Sequence, residues 1–124
     1  MKKIIATSAA PAAIGPYSQA VRIDNTLYVS GQLPVDPKTG EIPSGIEAQT
    51  RQSLDNVFAI LAEAGMGPDD VAKTCVLLKD IRDFAAMNAV YAGYFPNDKP
   101  ARVCYQVAEL PKGALVEIDA IAAL

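Results

Sequence analysis

Pro100-Ala101-Arg102-Val103-Cys104-Tyr105 and Leu115-Val116-Glu117-Ile118-Asp119-Ala120-Ile121 are two strand-like runs, joined through the breaker group Leu110-Pro111-Lys112-Gly113. Each sets a charged residue among apolar ones. Successive side chains of a strand point to opposite faces. The first run therefore puts Val103, Tyr105 and Val107 on one face and Arg102, Cys104 and Gln106 on the other. In the second, Val116, Ile118, Ala120 and Ala122 line one face, while Glu117 and Asp119 share the opposite face with Leu115 and Ile121. Paired as a hairpin, the two strands would carry Arg102 and Glu117 toward one surface. Alternation alone does not give the register.

Upstream, the pattern predicts a first strand at the N-terminus, then a loop marked by Gly15-Pro16, with Tyr17 where the loop meets the next strand. Ala20-Val21-Arg22-Ile23 and Thr26-Leu27-Tyr28-Val29-Ser30 flank Asp24-Asn25, two residues that tolerate positive φ, which reads as a two-residue hairpin. Gly31, leaving that hairpin after Ser30, is either a bulge or a point of close backbone approach. The prolines and glycines between Leu33 and Gly45 make a surface loop without a phosphate-binding glycine motif.

Leu54, Val57, Phe58 and Leu61 recur at helical spacing within a predicted helix over residues 46–64, which Gly65 stops. Val71 to Lys79 is apolar and branched enough to be a strand buried on both faces. A second helix follows, with Asp80 or Asp83 as its cap and Phe84, Met87, Tyr91 and Tyr94 on one stripe. Asn88 lies at the edge of that stripe, either solvated or hydrogen-bonded. The order predicts an α+β fold, a mixed sheet with both helices on one face. Its other face would be partly apolar, with Arg102 and Glu117 near the seam of a homo-oligomer.

Composition sets the limits. A chain of 124 residues, 51% hydrophobic and 20% charged, fits one globular domain over residues 1–124. The net charge of −3 lacks the basic footprint of a nucleic-acid binder. Cys75 and Cys104 sit in apolar runs and read as reduced thiols of a cytoplasmic protein. The absence of histidine excludes Ser-His, Cys-His and His-ligated zinc chemistry. Thr7, Ser8 and Pro11 interrupt the N-terminal run too early for a secretory signal, and no stretch approaches the roughly 20 apolar residues of a membrane span.

An arginine between Ala101 and Val103 is costly to desolvate unless paired. Two partners are open: a structural ion pair with Glu117 or Asp119, or the carboxylate of a substrate gripped by the planar guanidinium. In the second case Glu117 is placed to orient or deprotonate a water. Cys104 lacks a histidine to activate it as a nucleophile and is better suited to line a pocket or offer its backbone N–H.

Five segments in order, Ile14-Gly15-Pro16-Tyr17-Ser18-Gln19-Ala20, Ser30-Gly31-Gln32, Gln52-Ser53-Leu54-Asp55-Asn56-Val57, Pro100-Ala101-Arg102-Val103-Cys104 and Val116-Glu117-Ile118, resemble the reactive intermediate deaminase family, RidA or YjgF. The resemblance implies a chorismate-mutase-like homotrimer with clefts between subunits. It implies hydrolysis of 2-imino acids and their enamine tautomers, such as 2-iminopropanoate and 2-iminobutanoate, to 2-keto acids and ammonia, with no metal or cofactor. Arg102 would bind the substrate carboxylate, Glu117 would hold the attacking water, and Tyr17, Ser30, Gly31, Asn88 and Cys104 would line the pocket. Val103 and Tyr105-Gln106 depart from the usual residues after the arginine. The superfamily also includes members described as ribonucleases, translation inhibitors or chaperone-like proteins, and a small-carboxylate sensor would use the same pocket.

Overall fold

A computed structural model describes residues 1–124. The strands are β1 (Lys2–Ile5), β2 (Ala20–Ile23), β3 (Thr26–Gln32), β4 (Val71–Leu78), β5 (Ala101–Gln106) and β6 (Val116–Ala123), and the helices are α1 (Ile46–Glu63) and α2 (Phe84–Tyr94). The strands form one mixed sheet in the order β1-β2-β3-β6-β4-β5. Both helices pack on one face of it, giving the α+β architecture expected.

The local chemistry explains the elements. Asp24 takes the left-handed conformation, φ 51°, at the turn that pairs Ile23 with Thr26. Helix α1 ends in a Schellman arrangement: Gly65, φ 75°, lets the Met66 N–H reach the Leu61 carbonyl at 2.9 Å and its own N–H reach Ala62 at 3.0 Å. Asp80 caps the turn before α2 by accepting from the Arg82 N–H at 2.9 Å, while Asp83 makes no side-chain cap. Leu54, Val57, Ile60 and Leu61 of α1 are sealed against Leu27, Ile118 and Ala120 of the sheet. Each such leucine stabilises the fold by about 2 kcal/mol relative to an exposed one.

Three sequence expectations are corrected. β5 and β6 do not form a hairpin, because β4 lies between them, antiparallel to β6 and parallel to β5. The α2 crossover returns β5 parallel to β4 on its outer side, which leaves the inner side of β4 for β6. β4 is buried on one face only: Thr74, Val76 and Leu78 lie under the helices, while Lys73 is exposed and Cys75 and Leu77 are half-exposed on the uncovered face.

The third correction concerns the two charged residues. Val116, Ile118, Ala120 and Ala122 face the helices, so Glu117 and Asp119 face away from them. Arg102 lies opposite the buried Thr74 in the parallel register and reaches Asn88 of α2, so it is on the helix side. Within one chain Arg102 and Glu117 therefore project from opposite faces of the sheet.

Candidate active site

Glu117 opens into a cleft of about 530 Å³ that also holds Tyr17, Ser30 and Gly31. Its floor is set by an irregularity in the β3–β6 ladder. Val29 pairs with Ala120 and Gln32 with Ile118, so Ser30 and Gly31 together oppose Asp119. Such a bulge bends the strand and re-aims its side chains. Here it brings the Gly31 backbone so close to Glu117 that a β-carbon on residue 31 would lie 2.9 Å from Glu117 Oε2. Gly31 is thus both a bulge residue and a point of close approach.

The remaining walls are held by side-chain hydrogen bonds. The Ser30 hydroxyl donates to the Ser18 carbonyl at 2.6 Å, and the Ser30 N–H donates to Gln19 O at 2.9 Å. The buried Gln19 amide donates to the carbonyls of Thr7 and Pro11 at 3.0 and 2.7 Å and accepts from the Thr7 N–H, fixing the loop that leads to Tyr17. Gln49 of α1 accepts from the Leu115 N–H at 2.8 Å, just where the chain enters β6. Lys112, in the left-handed conformation at φ 59°, sits on the rim. Burial, and then the charge of Asp119, raise the Glu117 carboxyl above its ordinary pKa. It is a better base than a solvated glutamate.

Arg102 belongs to a second cleft, of about 450 Å³, shared with Asn88, Tyr91, Lys99 and Pro100. Its Nη1 donates to Asn88 Oδ1 at 2.7 Å. The guanidinium lies over the Tyr91 ring at 4.8 Å and over Phe84 at 5.5 Å. No carboxylate meets it: the salt bridge found in the chain is Arg82–Asp80. The ion pair of Arg102 with Glu117 or Asp119 is therefore not made within one chain. Tyr91, its hydroxyl 2.7 Å from Thr74 Oγ1, fixes the floor on which the guanidinium rests.

The structure thus gathers Tyr17, Ser30, Gly31 and Glu117 in one cleft and Asn88 and Arg102 in another. Cys104 lines neither; it packs against the core, and burial raises its thiol pKa despite the nearby Arg102 charge. The neutral thiol is a poor nucleophile. Sequence reading missed the aromatic cradle, assigning Phe84 and Tyr91 to core packing. The available signal was the spacing of Phe84, Asn88 and Tyr91 at i, i+4 and i+7, which aligns an amide with two rings.

This chain is similar to known proteins along nearly its whole length. Residues 7–124 match the family described as endoribonuclease L-PSP. A RutC family protein of Pyrococcus horikoshii is 57% identical over 98% of both chains. The 2-iminobutanoate/2-iminopropanoate deaminase of Escherichia coli K12 is 54% identical, again over 98% of both. Among solved structures, E. coli TdcF with bound serine superposes with a TM-score of 0.96 at 47% identity, covering 98% of each chain. Fold, order of segments and sequence agree: the chain belongs to the endoribonuclease L-PSP family, the RidA/YjgF family of reactive intermediate deaminases.

Proposed function

We propose that this protein hydrolyses short 2-imino acids and their enamine tautomers to 2-keto acids and ammonia, at sites completed between copies of the chain. The observation that carries the reading is the Arg102 guanidinium, held by Asn88 and two aromatic rings yet without an anion. A planar cation oriented in this way suits a carboxylate bound through two parallel hydrogen bonds. Glu117, with its raised pKa, supplies the proton-accepting group. Because the two project from opposite faces of one sheet, the β5 edge of one copy must meet the Glu117 cleft of another. A homotrimer closes three such contacts. The half-exposed Val103 and Tyr105 of β5 provide apolar surface for the meeting. The name of the E. coli relative and the serine in TdcF support a small carboxylate substrate.

The chemistry is short. Water held by the Glu117 carboxylate adds to C2 of the imine, and the carboxylate accepts a water proton and passes it to the nitrogen, which becomes an amine. The tetrahedral intermediate then collapses. Glu117, ionised again, takes the remaining hydroxyl proton and delivers it to the nitrogen as the C–N bond breaks, C=O forms and ammonia leaves. The balance is R–C(=NH)–COO⁻ plus water giving R–CO–COO⁻ plus ammonia. An imine beside a carboxylate is already electrophilic, so fixing the anion and placing the water supply most of what is needed.

The test is turnover of freshly generated 2-iminopropanoate. Wild type is expected to accelerate its hydrolysis, and Arg102→Ala to abolish the acceleration while the oligomer persists. An active, folded Arg102→Ala variant overturns the mechanism. RNA cleavage retained by that variant, with no imine turnover by wild type, favours the ribonuclease reading instead.

A further inference from the structure

The segment Gln52-Ser53-Leu54-Asp55-Asn56-Val57 contains two amides that the reaction does not use. Asn56, on the buried side of α1, is 1% exposed. Its Nδ2 donates to the carbonyls of Leu33 and Val35 at 3.1 and 2.9 Å, and its Oδ1 accepts from Gln52 Nε2 at 2.9 Å. Leu33 and Val35 are two apolar wall residues of the Glu117 cleft. They follow directly on Gln32, where the chain leaves the sheet just past the Ser30–Gly31 bulge.

We infer that Asn56 is a positioning residue that sets the apolar wall of the cleft, and through it the preference for the substrate's side chain, with Gln52 fixing the orientation of its amide. The inference rests on the reading of that cleft as the imino acid site. The segment from Leu33 to Gly45 forms neither helix nor strand. Beyond the 2.8 Å bond from the Val35 N–H to Leu33 O, the two bonds from Asn56 tie the start of this segment to a rigid helix.

A short side chain with two N–H donors can serve the carbonyls of Leu33 and Val35 from one position. Aspartate has no donor to offer and would face both carbonyl oxygens with like charge. Gln52 removes the alternative flip of the amide by donating to its oxygen. The wall they hold is apolar, so on this assignment it meets the substrate's side chain and not C2. Displacing it removes binding common to the ground state and the transition state, which raises KM and leaves kcat nearly unchanged. The effect grows with the side chain, so 2-iminobutanoate suffers more than 2-iminopropanoate.

Steady-state kinetics on both substrates test this in wild type, Asn56→Leu and Gln52→Leu. Asn56→Leu is expected to lower the 2-iminobutanoate to 2-iminopropanoate ratio of kcat/KM by about fivefold, mainly through KM, less than the roughly 10–200-fold that a whole methylene is worth in an apolar pocket because the wall is displaced and not removed. Gln52→Leu keeps both donor bonds and should shift the ratio in the same direction by less. Hydrogen exchange in the oligomer adds a readout independent of turnover: residues 33–36 should exchange faster in Asn56→Leu while α1 keeps its protection. An unchanged ratio, or kcat and KM lost in proportion for both substrates, overturns the inference. If Asn56→Leu fails to fold, Gln52→Leu with an unchanged ratio overturns it alone. Should wild type turn over neither imine, the imino acid reading falls, and unchanged exchange at residues 33–36 would separately dismiss the positioning role.

Discussion

The carboxylate of Glu117 occupies the space that a side chain on residue 31 would need. A β-carbon built on Gly31 meets Glu117 Oε2 at 2.9 Å and Cδ at 3.0 Å. Those atoms form the far end of a flexible side chain, so Gly31→Ala should fold by turning the carboxylate aside. Turnover is expected to fall roughly a hundredfold, the cost of about 1 Å of misplacement at a reacting group, with little change in melting temperature. Kinetics beside a thermal melt check this; full activity in Gly31→Ala would show that the Glu117 position does not matter.

Opposite projection of Arg102 and Glu117 makes complementation between variants possible. Arg102→Ala and Glu117→Gln are each expected to be inactive alone. Unfolded together at equal amounts and refolded into mixed oligomers, they should regain about a quarter of wild-type activity, because a quarter of sites shared in the proposed way then receive both intact residues. No recovery from mixed oligomers would place the whole site within one chain.

Burial and Asp119 raise the Glu117 carboxyl within one chain, and where that rise outweighs the pull of a neighbouring copy's Arg102 it has consequences of opposite sign for activity and stability. As a proton acceptor it must be ionised, so kcat/KM of the free enzyme should rise with pH through a value above the ordinary glutamate range of about 4.3. For folding, a carboxyl whose native pKa is raised binds protons more tightly than in the unfolded chain, so its burial destabilises increasingly as pH climbs through the native pKa. Glu117→Gln should therefore melt higher than wild type at neutral pH, and the difference should vanish below roughly pH 4. Melts across that range decide it; a Glu117→Gln variant less stable at neutral pH than at pH 4, relative to wild type, contradicts the assignment.

Phe84 and Tyr91 make separable contributions to the Arg102 cleft. Phe84→Leu removes one ring beneath the cation and should raise KM about two- to fivefold, as expected for an exposed cation–π contact of 0.5–1 kcal/mol. Tyr91→Phe keeps its ring but loses the bond to Thr74 Oγ1, and should cost about 1 kcal/mol of stability with KM unchanged. Reversal of the two outcomes would mean that the tyrosine hydroxyl, not the rings, orients the arginine.

Much of this arrangement is legible in the residues. The Asp24-Asn25 turn, the stripe of α1 stopped at Gly65 and the inward face of Val116, Ile118, Ala120 and Ala122 are all local patterns, and each stands in the structure. Alternation, however, says which residues of one strand share a face, not which face is covered. On β5 the apolar Val103 and Tyr105 lie open, while Arg102 and Cys104 turn in under α2. The neighbours of β5 were equally hidden, since a parallel partner is chosen by the crossover helix and not by the strand itself. The Ser30–Gly31 bulge depends on register with β6, which lies more than eighty residues further along the chain.

Strand β6 follows every other strand along the chain, yet it occupies the middle of the sheet between β3 and β4. As synthesis proceeds from the N-terminus, β1–β3 and the β4–α2–β5 unit can form only as two halves with exposed inner edges. Strand β6 joins them, covers those edges and sets Glu117 against Gly31. The strand that completes the sheet is therefore also the one that sets Glu117 beside Gly31, so the cleft they share exists only once the sheet is whole.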